Sequence, residues 1–227
     1  MFPSTFDYRR ANSVQEAIAL LGQNPDAKII AGGHSLLPAM KLRLATPPLL
    51  IDISKIKDLK GLRRMDDGAW LIGALTTHAE IAKEAVPRAL QDAAAAIGDV
   101  QVRNMGTIGG SISHADPAAD YPAVLLALGA QIRVQGPSGA RTIAADDFFT
   151  DLFTTALQPN EVLVGVQVGP RPPGGRAGTA YAKHPHPASG FAVVFSGSLR
   201  ISFTARTIRN TTKATIKKLI IVLTNRP

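Results

Sequence analysis

Two double-glycine stretches, Ala31-Gly32-Gly33-His34-Ser35 and Thr107-Ile108-Gly109-Gly110-Ser111, constrain this chain more than any other feature. Each follows or lies beside an apolar, strand-like run, and each sets a hydroxyl next to bare backbone. Glycine lacks a Cβ, so a ligand can approach its N–H closely and the chain can take positive φ. Successive free N–H groups form a concave anion site. A lone Gly-Gly is ordinarily no more than a turn. Two stretches of similar form in adjacent units predict a ligand with two phosphates, held between two loops.

Several chemistries are excluded by the same residues. A P-loop needs Gly-Lys-Ser/Thr after its glycines, and neither stretch has the lysine. The Gly-x-Gly-x-x-Gly dinucleotide fingerprint is missing. A nucleophile elbow needs Gly-x-Ser-x-Gly, and Gly32–Leu36 lacks the final glycine. The five histidines, His34, His78, His114, His184 and His186, show no paired metal-binding spacing. His184 and His186 could share a strand face, but read more simply as exposed loop residues. His34 lies within the first glycine stretch, either turned toward a phosphate or bonded to backbone. Asp116 and Asp120 precede a helix, where carboxylates favour the dipole; Asp120 could instead bond a sugar or ribityl hydroxyl. No catalytic acid or base stands out, and no metal site.

The chain has no cysteine. Disulfides, thiolate metal sites and cysteine-ligated iron–sulfur clusters are therefore absent from it. No secretory start and no long apolar run is present, so a cytoplasmic protein without a membrane span is expected. The net charge of +8 invites a nucleic-acid reading until it is located. Residues 195–227 hold seven basic residues and no acid, while residues 1–194 carry 18 basic against 17 acidic. The body is nearly neutral, and no nucleic-acid partner is expected.

Three units are expected. In the first, residues 1–56, Ser13 and Glu16 form a capping box, Val14, Ala17, Ile18 and Leu21 follow at helical spacing, and strands at 28–30 and 49–53 complete a βαβ-like layer. The second, residues 57–170, has a strand at 69–75, helices at 77–83, 89–97 and 122–128, a hairpin about Gly136-Pro137-Ser138-Gly139, and a strand at 161–168. Pro170–Gly175 reads as a linker. The third, residues 176–227, opens with a strand at 177–183.

Four segments taken together carry a resemblance: residues 29–53, residues 101–130, the Asn-Glu-Val-Leu run at 160–163, and residues 181–194. Over residues 1–194 the chain resembles the FAD-binding medium subunits of the molybdenum hydroxylases, the carbon monoxide dehydrogenase, xanthine dehydrogenase and aldehyde oxidase group. The resemblance implies an α+β fold, the bipartite FAD-binding fold of the vanillyl-alcohol-oxidase (PCMH) type, followed by a C-terminal α/β domain that is incomplete here. It implies FAD as cofactor. Ile29, Ile30, Ala31, Gly32, Gly33, His34, Ser35 and Leu36 would line one side of the pyrophosphate. Thr107, Ile108, Gly109, Gly110 and Ser111 would line the other. Asp120 would bond a cofactor hydroxyl, Ile97 and Leu163 would make apolar contacts, and Lys183 would approach the flavin.

The implied function is an oxidoreductase's electron-transfer subunit. It would take electrons from the two [2Fe–2S] clusters of a small partner subunit and pass them to an external acceptor, while a large molybdopterin subunit oxidises the substrate. A non-catalytic nucleotide-binding module and a stand-alone FAD oxidase are the alternatives. The resemblance stops near Val194. The abrupt loss of acids and of pattern there predicts that residues 195–227 are a non-family, frameshifted or misjoined tail on a truncated and poorly packed third unit.

Overall fold

The computed structural model describes residues 2–170, 175–187, 190–203 and 217–222. Its first layer is β1 (Asp7–Arg10), α1 (Val14–Gln23), β2 (Lys28–Ile30), α2 (Leu36–Lys41) and β3 (Leu49–Asp52). The three strands are parallel in the order β1-β3-β2. The all-buried β3, Leu-Leu-Ile-Asp, is central, as a parallel strand covered on both faces must be. Ala17, Ile18 and Leu21 of α1 bury against Leu49, Ile51 and Ile53. Ser13 caps α1 as expected, accepting from Glu16 N–H at 3.1 Å. The return bond differs: the Glu16 carboxylate takes the N–H of Asn12 at 2.7 Å, one residue earlier than a capping box requires.

The second unit follows a 3-10 turn at Lys57–Leu59. It contains β4 (Leu62–Arg64), β5 (Trp70–Gly73), α3 (His78–Lys83), α4 (Arg88–Ala96), α5 (Val100–Met105), α6 (Ile108–His114) and α7 (Tyr121–Leu128). Then come β6 (Gln131–Gly136), β7 (Gly139–Ala144), α8 (Ala145–Phe148), β8 (Phe149–Asp151), β9 (Thr154–Thr155) and β10 (Val162–Val168). The main sheet is antiparallel, order β4-β5-β10-β6-β7. Ile72, Ile132, Val134 and Val166 from the sheet meet Ile81, Leu90, Ile108, Ile112 and Leu125 from the helices in one core. The expected hairpin is present, closed by the Gly136–Gly139 pair.

The third unit is β11 (Gly175–Pro185), β12 (Ala192–Phe203) and β13 (Lys217–Val222), antiparallel in that order. No helix belongs to it among the described residues. The tail was expected to begin at residue 195, yet β12 crosses that point unbroken, pairing Phe195 with Lys183 and Phe203 with Gly175. The sheet lies on α4 and α7. At Gly197 the fit is so close that a Cβ would stand 2.7 Å from the Ala123 carbonyl oxygen. Most of the predicted linker, residues 171–174, and residues 204–216 and 223–227 of the predicted tail lie outside the described residues. No helix among the described residues is long and apolar enough to cross a membrane.

Candidate functional site

The first glycine stretch leaves the end of β2, where Ile29 and Ile30 are half-buried. Among the described residues, none of the backbone N–H groups of Gly32, Gly33, His34, Ser35 and Leu36 has a hydrogen-bond acceptor. Gly33 has φ +75°, a conformation open to glycine and rare for other residues. His34 and Ser35 are exposed, and Ala31 and Leu36 are half-buried. The His34 Nδ1 lies 2.8 Å from the Gly32 carbonyl oxygen. That oxygen can only accept, so Nδ1 carries the proton and Nε2 is the nitrogen left for a ligand. Ser35 stands at the N-cap of α2 without a side-chain capping bond. Its hydroxyl, too, is uncommitted there.

The second stretch is a helix start, not a turn beside a strand. Thr107 is the N-cap of α6, its hydroxyl accepting from Gly110 N–H at 3.2 Å. The N–H groups of Ile108 and Gly109 donate to the carbonyls of Thr76 and Ala74, and that of Ser111 to the Thr107 carbonyl. So the two stretches differ: the first presents a row of open donors, and the second spends most of its donors tying α6 to the end of β5. Gly109 permits that tie, since a Cβ there would meet Ala74 backbone and side chain at 2.7 Å. Gly110 is exposed, Ser111 half-buried, and Ile108 fully buried.

The two stretches nevertheless meet. A Cβ on Gly32 would fall 2.1 Å from the Met105 carbonyl oxygen and 3.0 Å from Gly106 Cα, one residue ahead of Thr107. On its other side Gly106 packs on the His78 ring, where a Cβ would stand 2.7 Å from Nε2. His78 is buried, its N–H donates to the Gly106 carbonyl, and its Nδ1 lies 2.9 Å from the Tyr121 hydroxyl. Burial, with a smaller electrostatic influence from His34 and Arg103, pushes the His78 imidazole down to about 4. It is neutral at physiological pH. Burial and the Asp120 charge push the Tyr121 phenol well above its ordinary value, so its hydroxyl keeps a proton to donate to Nδ1. Sequence reasoning noted His78 only as one of five histidines.

A second cluster forms where the third unit docks. Lys183 Nζ pairs with Asp120 at 2.9 Å and donates to the Ala96 carbonyl at 3.1 Å. The side chains of Lys183 and Asp120 are 9% and 6% exposed. Ile97, half-buried at the C-cap of α4, is the next residue. The structure thus brings Asp120 and Lys183 together, with Ile97 one residue beyond the carbonyl that Lys183 bonds. Asp120 sits at the N-cap of α7 but makes no capping bond; its carboxylate turns to β11 instead. The Tyr181 hydroxyl also donates to it, at 2.5 Å. Sequence reasoning passed over Tyr181. The alternation Thr179, Tyr181, Lys183 along one strand face was the available signal.

Leu163 is placed differently. It is buried in the main core, paired with Val134 across β10 and β6. Asp116 forms a local turn, accepting from Ala118 N–H at 2.8 Å. His184 and His186 are exposed. His114 stacks at a tilt on Phe153, centroids 5.3 Å apart. Among the described residues no group of three metal-ligating side chains converges.

The family described as FAD binding domain in molybdopterin dehydrogenase matches residues 4–172. The carbon monoxide dehydrogenase medium chain of Hydrogenophaga pseudoflava is 47% identical over 173 residues, 74% of this chain and 60% of that one. The medium chain of the same name from Afipia carboxidovorans is 44% identical over 188 residues, 81% of this chain and 64% of that one. The solved carbon monoxide dehydrogenase from Hydrogenophaga pseudoflava, lacking the Mo-pyranopterin moiety, superposes with a TM-score of 0.84. It is 40% identical, covering 97% of this chain and 75% of that one. The chain spans less than two thirds of the length of these curated relatives.

Proposed function

This chain belongs to the family of FAD-binding domains of molybdopterin dehydrogenases, and from that membership we propose that it is the flavin-bearing, electron-transferring part of a multi-subunit oxidoreductase. The observation that carries the reading is the row of five acceptor-less N–H groups from Gly32 to Leu36. Bare donors in a row have one common use, which is to surround an anionic group. The pyrophosphate of FAD supplies such a group, and the residues present fit it.

Gly33 and its neighbours would hold the pyrophosphate on one side. The exposed Gly110 and the Ser111 hydroxyl would close the other, with Thr107, Ile108 and Gly109 holding that helix start in place. Ile29 and Ile30 form the strand from which the cradle springs. Ile97, Asp120 and Lys183 would face the more distant parts of the cofactor, Asp120 toward a hydroxyl and Lys183 supplying positive charge. Leu163 would act at one remove, as core beneath that surface. FAD, when bound, supplies the redox chemistry, and the protein positions it and sets its electrostatic surroundings. A small subunit with [2Fe–2S] clusters as electron donor, a large molybdopterin subunit and an external acceptor complete the proposed assembly.

The test is direct. The purified full chain, stripped of flavin, is titrated with FAD and followed by visible absorption and flavin fluorescence. Saturable uptake of one FAD per chain, bleached by dithionite, is expected. Tight binding of ADP with no preference for FAD would favour the nucleotide-binding module, and turnover of a substrate by the isolated chain would favour the stand-alone oxidase.

A further inference from the structure

β11 meets the helical layer through alternate residues. Thr179, Tyr181 and Lys183 are half-buried, while Gly178, Ala180, Ala182 and His184 are exposed. Each inward residue makes a polar contact. Thr179 Oγ1 accepts from the Ala89 N–H in the first turn of α4 at 3.0 Å. Tyr181 donates to Asp120 Oδ1. Lys183 reaches Asp120 and the Ala96 carbonyl at the other end of α4. Strand and helix run side by side, about 13 Å of strand against about 10 Å of helix.

The middle contact selects a geometry. Lys183 stands 2.9 Å from Asp120 Oδ1 as an ion pair and donates its hydrogen bond to Oδ2 at 3.1 Å. Tyr181 donates to Oδ1 alone. A carboxylate offers about four acceptor sites. Tyr181 fills one on Oδ1 and Lys183 fills one on Oδ2, which leaves one on each oxygen.

We propose that Tyr181 is a positioning residue of the cofactor site: its hydroxyl pins the Asp120 carboxylate so that one of its remaining acceptor sites receives a hydroxyl of bound FAD. The proposal rests on the reading that Asp120 faces FAD. Burial, the Asp120 charge and the hydrogen bond to it hold the Tyr181 phenol far above its ordinary value, so this hydroxyl stays a donor throughout the accessible pH range.

The experiment measures the FAD dissociation constant of the full chain in four forms. Tyr181→Phe is expected to weaken binding about tenfold, the size of a lost hydrogen bond to a charged group. Thr179→Val loosens the same strand without touching Asp120, and is expected to change the constant by less than about twofold. A site-specific 3,5-difluorotyrosine at position 181 keeps the shape and strengthens the donor. It is expected to shift the constant by about twofold or more at unchanged thermal stability, and it carries the test if Tyr181→Phe does not fold. Wild-type affinity in Tyr181→Phe, equal losses in Tyr181→Phe and Thr179→Val, or an unmoved constant with the fluorinated residue would overturn the proposal alone. A folded wild-type chain that takes up no FAD would overturn the parent reading, and this proposal with it.

Discussion

A methyl group on Gly32 would collide with the Met105 carbonyl oxygen, and one on Gly110 would meet only the Thr107 hydroxyl at 3.0 Å. The two glycines therefore answer to different constraints. Gly32→Ala is expected to lower stability by about 1–3 kcal/mol, as overpacking does, and to weaken FAD binding by spreading the two stretches. Gly110→Ala is expected to stay within about 1 kcal/mol of wild type, since alanine is favoured inside a helix. Urea unfolding monitored by circular dichroism distinguishes them. His78 gives a pH signature. Its folded-state imidazole titrates at about 4, below the ordinary 6.5. The unfolded chain therefore takes up this proton first. Stability from His78 is complete above pH 6.5 and is lost as pH falls toward 4, by about 3 kcal/mol in all. In His78→Gln this part of the acid limb should be missing, with unfolding free energies at pH 7 and pH 4.5 lying closer together than in wild type. An unchanged limb would show that His78 is not buried neutral.

At the scale of elements, the sheet-to-helix clamp makes the sharpest prediction. Lys183→Met leaves the Asp120 carboxylate buried beside Tyr181 without its cation. Breaking a buried pair in this way is expected to cost about 3–5 kcal/mol. Adding Asp120→Asn should recover much of the loss, because the stranded charge is then gone, and a thermal melt of the single and double variants reads the difference. What the sequence made legible follows the same line. The β6–β7 hairpin was readable because its turn residues act locally, and α1 because Ser13 and the Val14–Leu21 spacing lie within the helix they start. β1 was not readable: all four of its residues are exposed, so an edge strand there shows no alternation. α6 was hidden because the reason for Gly109 is Ala74, on another element. Of the candidate site, the pair of double-glycine stretches pointed to the first stretch, whose N–H groups are open in the structure. The second differed because its N–H groups are taken by Thr76 and Ala74, partners that no local pattern announces. Tyr181 matters through Asp120, which lies 61 residues away in the chain.

For the whole molecule, the main sheet shares one core with the helices of the second unit, the third sheet lies on α4 and α7, and the first sheet packs with α1. The first layer brings the open N–H row, the second the residues Met105 and Gly106 that Gly32 touches just ahead of the α6 start, and the third the Tyr181–Lys183 face that closes on Asp120. The excess of basic residues falls in the acid-free residues 195–227 while residues 1–194 are nearly neutral, which accords with a small anionic cofactor rather than a polyanion as ligand. The measurement that tests this account most directly is an equilibrium titration of the flavin-free full chain with FAD, with circular dichroism recorded on the same sample to establish that it is folded. The account predicts a yellow complex of one FAD per chain, with affinity lost in Gly33→Val, where a branched side chain would have to adopt φ +75° beside Leu37. A folded chain that remains colourless at saturating FAD would contradict it.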